Sequence, residues 1–359
     1  TRVKEKTLLR SDIMQLDITR VEESKINSVD WDNLPFGRVF SDHMLVMDYE
    51  NGAWQKPSIQ PFEDLSLTPA TSVLHYGQTI FEGMKAYRNE DDEVFLFRAD
   101  QNARRFNASA ERMCMPTVPE DVFIDFIKTL VDIDREWIPA KEGYSMYIRP
   151  FMIATDPYVG IRPSATYKFM IFTCPVGAYY TEPVKVKIET EFTRAAHGGT
   201  GAAKAGGNYA ASLYPAKLAQ EQGYQQLIWT DAKEHKYIEE AGTMNVVFQI
   251  GNTIITPKSS DTILDGITRK SVMEIARDWG YKTEERKVSV QEIIEAAENG
   301  QLVDVFGAGT AATIAPIKTI HFDGKDYQLP DASEREFSNK VLEYLNQYKH
   351  GKVEYKFNW

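Results

Sequence analysis

The stretch "GGTGAAKAGGNYAAS", from Gly198 to Ser212, places one lysine among residues that are mostly glycine and alanine. Lys204 is flanked by Ala203 and Ala205, so the stretch lacks the Gly-Lys-Ser/Thr ending of a phosphate-binding P-loop. Small neighbours leave an amine accessible, as a lysine that forms a Schiff base with a carbonyl compound requires. Taken alone, the stretch is more typical of a flexible surface turn, and only the rest of the chain decides between the two interpretations.

The composition is that of a globular protein with more than one core. The chain has 359 residues, of which 43% are hydrophobic and 26% charged, and single cores stop growing near about 250–300 residues. The net charge of −11 disfavours a nucleic-acid or anionic-membrane partner, because such a surface repels phosphate. We therefore expect a two-domain protein whose partners are small molecules, with no nucleic acid and no membrane among them.

The two cysteines, Cys114 and Cys174, and six scattered histidines predict neither a disulfide framework nor a metal site. That usage favours a cytoplasmic location. The N-terminus lacks the apolar core of a secretory signal, although a removed transit peptide stays open. The longest mostly apolar run, "FMIFTCPVGAYY" from Phe169, is broken by Pro175 and is too short to span a bilayer.

Strand and helix patterns alternate irregularly, which indicates an α/β protein of the α+β type. The Asn-Gly pair in "SDHMLVMDYENGAW" predicts a β-hairpin, and "PEDVFIDFIKTLVDIDREWI" has the periodicity and acidic, proline-led start of a helix. A helix is predicted from Tyr209 to Gln222, ended by Gly223. We place a smaller N-terminal domain at residues 1–176, a linker at 177–187 and a larger C-terminal domain at 188–359.

Four further stretches carry unusual residue combinations: "HYGQTIFEGMKAY" (75–87), "EEAGTMNVVF" (239–248), "LDGITRKSV" (264–272) and "VFGAGTAATIAP" (305–316). Together with "GGNYAAS", they resemble the branched-chain amino acid aminotransferases, which are pyridoxal-phosphate enzymes of fold type IV. The motifs follow the family's order over nearly the whole chain. The resemblance implies the two-domain fold of that type, with a mixed, barrel-like sheet in the C-terminal domain.

The resemblance also implies how the cofactor, pyridoxal 5'-phosphate, is held. Lys204 matches the Schiff-base lysine, Tyr209 the partner of the phenolic oxygen, and Glu240 the partner of the pyridine nitrogen, where a carboxylate strengthens the electron sink. Glu239 is expected on the surface. Helix N-terminal amides suit a phosphate, and the remaining residues expected at the cofactor are Arg105, Arg194, Thr243, Ile267, Thr268 and Thr310. Adjacent helical residues point about 100° apart, so Arg104 is expected to face elsewhere.

A water-poor aromatic pocket suits branched aliphatic side chains. The family's aromatic positions match Phe36, Tyr76, Phe81, Tyr147 and Tyr179. The backbone of Gly309, Thr310 and Ala311 is expected to bind the substrate α-carboxylate, and Arg149 the distal carboxylate of glutamate. In the family, the residue that matches Tyr76 reaches the neighbouring subunit, which implies a homodimer.

The implied function is transfer of the amino group of L-leucine, L-isoleucine or L-valine to 2-oxoglutarate. The cycle alternates between the pyridoxal and pyridoxamine forms with ping-pong kinetics, and Lys204 moves the proton. Two alternatives stay open: another fold-type-IV activity, either D-amino acid transamination or aminodeoxychorismate lyase chemistry, and a non-catalytic anion-binding protein. Ala312 and Ala315 stand where mammalian members carry a redox-sensitive Cys-x-x-Cys, so no such switch is expected.

Overall fold

The computed structural model describes residues 15–177, 182–357 and 359, which form two β-sheets with helices packed against them. Three short 3₁₀ segments accompany seven α-helices in these ranges. The α-helices are α1 (Val73–Tyr76), α2 (Ala99–Arg112), α3 (Glu120–Ile133), α4 (Gly206–Glu221), α5 (Ile267–Asp278), α6 (Val290–Glu298) and α7 (Glu336–Lys349). In the part of the chain so described, no helix has both the length and the apolar character needed to cross a membrane.

The first sheet has nine strands and is antiparallel except where β1 meets β4. Its strands are β1 (Asp17–Ile18), β2 (His43–Glu50), β3 (Ala53–Trp54), β4 (Ser58–Pro61), β5 (Thr79–Phe81), β6 (Met84–Arg88), β7 (Val94–Leu96), β8 (Ser145–Ala154) and β9 (Tyr167–Val176). The main path runs β1-β4-β2-β9-β8-β6-β7, with β3 on β2 and β5 on β8. The predicted hairpin is confirmed: Tyr49 pairs with Trp54, and Asn51 and Gly52 both have positive φ, as a two-residue turn requires.

Helices α2 and α3 cover one face of the first sheet through large aromatic side chains. Phe106 of α2, Phe123 of α3 and Phe169 of β9 are fully buried, with ring centroids 5.3–5.9 Å apart. Burying each such ring stabilises the fold by about 1.5–3 kcal/mol. This packing fixes α2 on the sheet, so that the polar side chains of α2 reach the second half of the chain at defined positions.

The second sheet has ten strands of mixed direction, which confirms the predicted fold class. They are β10 (Val184–Ile188), β11 (Gln226–Thr230), β12 (Tyr237–Ala241), β13 (Asn245–Ile250), β14 (Thr253–Pro257), β15 (Lys282–Arg286), β16 (Val288–Ser289), β17 (Leu302–Gly309), β18 (Thr313–Phe322) and β19 (Lys325–Gln328). The main path runs β15-β14-β13-β17-β18-β10-β11-β12-β16, with β19 on β18. Strand β10 is parallel to both β11 and β18, and β14 is parallel to β15.

The helix that follows the lysine stretch begins earlier than predicted. Helix α4 starts at Gly206, directly after the extended residue Ala205, whereas the sequence pattern predicted Tyr209. Gly206 is the first residue of the helix, and the chain passes close to the first sheet there. A Cβ on Gly206 would lie 2.7 Å from Thr79 Cγ2, so the missing side chain allows the approach. Gly206 therefore lets the lysine segment lie against strand β5.

Candidate functional site

A cavity of about 450 Å³ opens between the two sheets. It is lined from the first sheet, from α2, from the lysine segment, from the start of α5 and from the turn between β17 and β18. Most of the residues singled out from the sequence line it together: Phe36, Phe81, Arg105, Tyr147, Arg149, Arg194, Lys204, Tyr209, Glu240, Thr243, Ile267, Thr268, Gly309, Thr310 and Ala311. Segments from both halves of the chain thus meet in one space.

Lys204 has a fixed backbone and a side chain that projects into this cavity. Its N–H donates to Ser109 Oγ at 2.9 Å, and its carbonyl accepts from the Phe81 N–H at 3.0 Å. The Nζ atom lies 2.9 Å from the Tyr209 hydroxyl and 4.7 Å from the centre of the Phe81 ring. Helix α2 and strand β5 therefore hold the backbone of this lysine in place, while a phenol is the hydrogen-bond partner of its amine.

Glu240 is a buried carboxylate with its own cation. It is 3% exposed, and Arg194 Nε lies 2.9 Å from its Oε2, while the Leu264 N–H donates to Oε1 at 2.7 Å. Burial raises the pKa of Glu240, and the Arg194 charge and the Leu264 N–H oppose that rise. The carbonyls of Thr262 and Gly201 accept from Arg194 at 2.8 and 3.1 Å, so the arginine is held in its orientation.

Arg105 forms a second buried pair, with Glu82. Its Nε and Nη2 donate to the two carboxylate oxygens at 2.7 and 2.9 Å, and Nη1 donates to the Asp265 carbonyl at 3.2 Å. Burial alone would raise the pKa of Glu82, but the charge and hydrogen bonds of Arg105 outweigh it, and the pKa lies below its usual value. Glu82 was not singled out from the sequence; an acidic residue inside the apolar "TIFEGMKAY" was the available signal.

The first turn of α5 faces the cavity with amides that have no acceptor within the helix. Gly266 precedes the helix, and a Cβ there would lie 1.7 Å from Asn245 Oδ1. The Asn245 amide in turn donates to the Leu264 carbonyl at 2.9 Å. The glycine therefore permits the close approach that aims Ile267 and Thr268 at the cavity, where the helix dipole favours an anion.

The opposite wall is aromatic, with one further cation. The rings of Phe36 and Tyr147 lie 5.1 Å apart, and the guanidinium of Arg149 lies 4.5 Å from the centre of the Phe81 ring. Arg149 Nη2 donates to the Tyr147 hydroxyl at 3.1 Å. Tyr147 fits because Gly83 has no side chain: a Cβ there would lie 2.0 Å from the hydroxyl. Such a wall suits a molecule with an apolar side chain and a negative group.

Comparison with known proteins agrees with this geometry. The family model described as "Amino-transferase class IV" matches residues 79–320, about two thirds of the chain. The chain belongs to the class IV aminotransferases. The Bacillus subtilis (strain 168) relative "Branched-chain-amino-acid aminotransferase 2" is 44% identical to this class IV aminotransferase over 350 residues, which cover 96% of each chain. The resemblance inferred from the motifs is thereby confirmed.

Solved structures of other class IV aminotransferases share the fold. The branched-chain aminotransferase of Thermoproteus uzoniensis, crystallised with norvaline, has a TM-score of 0.72 and 26% identity, covering 88% of this chain and 98% of that one. The T.th. branched-chain aminotransferase with pyridoxamine 5'-phosphate has a TM-score of 0.68 and 25% identity, covering 86% and 95%.

Of the predicted site residues that the structure describes, one does not line the cavity. Tyr76 lies in α1, is 43% exposed and does not line the cavity of its own chain. Tyr179 lies outside the described residues. Several lining residues were not singled out, although they lie within or beside the quoted motifs: Gly83, Asn208, Ser212, Gly242, Met244, Asn245, Leu264, Gly266 and Ala308.

The expectation that Glu239 lies on the surface was wrong. It is 7% exposed. The Thr262 hydroxyl donates to Oε1 at 2.6 Å, and Oε2 is buried with no partner in the described chain. Burial raises the pKa of Glu239 to about 7, and the neighbouring Glu240 charge adds to the rise. Glu239 thus holds Thr262, whose carbonyl accepts a hydrogen bond from Arg194 of the neighbouring ion pair.

Proposed function

We propose that this class IV aminotransferase transfers the amino group of L-leucine, L-isoleucine or L-valine to 2-oxoglutarate, using pyridoxal 5'-phosphate and Lys204. The single observation that carries the proposal is the position of Lys204 Nζ, which projects into a cavity also lined by a buried carboxylate and a helix N-terminus. The names of the relatives support the substrate class, and the pyridoxamine phosphate complex of one neighbour supports the cofactor.

The residues of the cavity fit such a cofactor, which needs an amine for its aldehyde, a carboxylate for its ring nitrogen and donors for its phosphate. Lys204, Glu240 and Tyr209 would hold the aldehyde carbon, the ring nitrogen and the phenolic oxygen. The phosphate would be held by Arg105, Ile267, Thr268 and Thr310, with Arg194 and Thr243 beside them. When bound, the cofactor supplies an electron-withdrawing ring that delocalises the electrons left on the substrate Cα once its proton is removed.

The chain's own groups then perform the proton movements. Lys204, as a free amine, would take the Cα proton as a general base and then donate it, as a general acid, to the carbon that was the cofactor's aldehyde. Tyr209 holds the amine by one hydrogen bond of 2.9 Å, which is compatible with a change of partner. The ion pair with Arg194 keeps Glu240 in place, where its carboxylate would hold the ring nitrogen. Because the oxo acid leaves before the second substrate enters, ping-pong kinetics follow.

The aromatic wall provides the specificity of this proposal. Phe36, Phe81 and Tyr147 would exclude water and pack against the branched side chain, where each buried methylene contributes about 0.8 kcal/mol. Arg149 would bind the distal carboxylate of 2-oxoglutarate and glutamate. The two half-reactions would thus share one pocket that accepts an apolar side chain or a carboxylate.

We also propose a homodimer in which Tyr76 completes the partner's site. Large apolar side chains are exposed in α1 and in the nearby loop: Leu74 (59%), Val159 (76%) and Ile161 (94%). A hydrogen bond from the Ser72 N–H to the Asp156 carbonyl holds the two segments together. An apolar patch of this kind favours burial against another chain.

The division into domains at 1–176 and 188–359 and the cytoplasmic location stay predictions.

Turnover by matched lysine variants tests the proposed activity. Wild-type protein should form glutamate from L-leucine and 2-oxoglutarate, and Lys204→Ala should be slower by roughly 10²–10⁴-fold or more. Lys217→Ala is the control, because Lys217 lies on the helix that follows Lys204 and pairs with Glu221 at the surface. No turnover by the wild type, or near-normal turnover by Lys204→Ala, would refute the proposal. Preferred turnover of D-alanine, or lyase activity alone, would favour the other fold-type-IV activities.

A further inference from the structure

Two buried lysines lie behind the turn that joins β17 to β18, and neither forms an ion pair within the described part of the chain. Lys85 of β6 is 8% exposed and Lys349, the last residue of α7, is 4% exposed. Burying an ammonium ion without a counter-ion is costly. The two charges also oppose each other: after burial, the charge of Lys85 is the second cause that lowers the pKa of Lys349, to about 7.

Lys85 connects the first sheet to this turn. It pairs in register with Tyr147, and Arg149 lies two residues further along β8, so the three side chains project from one face of the sheet. Its Nζ donates to the Ala311 carbonyl at 2.7 Å. The side chain thus crosses from the wall of the cavity to the backbone of the opposite sheet.

The turn has donors that are not used by the protein. Strand β17 ends at Gly309 and β18 begins at Thr313, which leaves Thr310, Ala311 and Ala312 between them. In the described chain the N–H groups of Thr310 and Ala311 have no acceptor, while the Ala311 carbonyl is taken by Lys85. Lys349 Nζ donates to the Thr313 hydroxyl at 2.8 Å, and Thr313 has a φ of 62°, so the end of the turn is also anchored.

We infer that Lys85 is a positioning residue for the substrate α-carboxylate, and this inference rests on the proposed function. By holding the Ala311 carbonyl, Lys85 keeps the neighbouring amides turned toward the ligand. Its charge, which no carboxylate in the described chain neutralises, is balanced when the anionic substrate arrives. Lys349 supports the same turn from the side of Thr313.

The test uses holoenzyme and a pair of ligands that differ in charge. The probes are 4-methylvaleric acid and its neutral amide, with dissociation constants measured from the change in cofactor absorbance. Lys85→Met should weaken the acid about tenfold relative to the amide, since the variant lacks both the charge that balances the carboxylate and the hydrogen bond that orients the turn. Lys85→Arg should keep the acid within about threefold of wild type, because the charge and the donor remain.

Kinetic constants separate positioning from simple loss of structure. In Lys85→Met the KM for L-leucine should rise by a factor similar to that for the acid, with kcat reduced less than about threefold, because ground-state binding is what is lost. The control is Lys168→Met, a lysine of β9 in the same sheet that pairs with Asp48 at 2.6 Å and should leave both probes unchanged.

The inference is overturned if the acid-to-amide ratio in Lys85→Met changes by less than about threefold, or if both ligands weaken equally. Should Lys85→Met fail to fold, Lys85→Gln replaces it under the same criterion. Wild-type protein without leucine turnover would refute the proposed function, whereas an active wild type with an unchanged ratio in the variant would refute only the role of Lys85.

Discussion

Positively charged side chains are paired with carboxylates at one end of the cavity and have no such partners among the described residues at the other. At the end where α2, α5 and β12 meet, each arginine has a carboxylate of its own: Arg105 has Glu82 at 2.7 Å, and Arg194 has Glu240 at 2.9 Å. Paired and hydrogen-bonded groups of this kind hold their geometry before any ligand binds. That is what a permanently held cofactor requires.

At the other end the cations have no carboxylate in the described chain. Arg149 has a buried Nε without a partner, and Lys85 and Lys349 donate only to uncharged oxygens. An end that lacks its negative charges is suited to an anion that enters and leaves in every cycle. The contrast fits the proposed arrangement, in which charge is neutralised permanently where the cofactor would lie and is left available where the substrate would bind.

Breaking a pair at the first end should have the largest effect on stability. Glu82→Ala leaves Arg105 buried without its counter-charge, and the free energy of unfolding should fall by about 3–5 kcal/mol. Glu120→Ala is the control, since it removes the exposed partner of the adjacent Arg104 and should change stability by less than about 1 kcal/mol. Denaturant unfolding measures both. Equal effects of the two substitutions would show that the buried pair is not what holds this end.

The second prediction concerns pH and the carboxyl next to the other pair. The pKa of Glu239 is about 7 in the folded chain against an ordinary 4.5, so the folded state keeps a proton that the unfolded chain loses. Stability should therefore fall between pH 4.5 and 7, by up to about 3 kcal/mol.

Glu239→Gln should remove this fall, because an amide does not titrate. Unfolding at about pH 5 and about pH 7.5 should give similar free energies for wild type and variant at the lower pH, and a more stable variant at the higher pH. Glu234→Gln, at an exposed position, serves as the control. A variant that loses stability at both values would contradict the raised pKa.

The smallest effect is expected at the unpaired end. Lys349→Met should raise stability by about 1–2 kcal/mol at about pH 6, because a buried charge is replaced by an apolar side chain of similar size. Because the folded pKa is about 7 and the ordinary one 10.5, wild-type stability rises over that interval by about 1.4 kcal/mol per pH unit, so the advantage of the variant should vanish near about pH 8 and reverse above it. Lys340→Met, at an exposed position of the same helix, is the control. A less stable Lys349→Met at the lower pH would argue against this effect.

Local features of the fold followed from the sequence. The Asn51–Gly52 hairpin and the start of α3 at Glu120 depend on turn and capping preferences within a few residues, and both were predicted. The start of α4 was placed three residues late, because the contact of Gly206 with Thr79 joins segments that are far apart in sequence. Such a contact has no local signal.

The sequence predicted most of the residues that line the cavity but not which charged groups pair with one another. The resemblance named Arg105 and Glu240, yet the partner of Arg105 is Glu82, between β5 and β6, and Lys85 meets Ala311 across 226 positions. Glu239 was misplaced because the residue that contacts its carboxyl, Thr262, comes 23 positions later in the chain. Which charged side chains pair depends on how distant strands and helices are placed against one another. The hydrophobic periodicity of the sequence carries no information about that placement.

Reduction of the holoenzyme with borohydride, followed by peptide mass analysis, tests most directly that Lys204 carries the chemistry. Reduction makes the bond between an amine and a carbonyl cofactor permanent, so its position can be read from the peptide that gains mass. We predict that the mass of the reduced cofactor appears on the peptide that contains Lys204 and on no other lysine peptide. No added mass, or added mass at another lysine, would contradict the assignment.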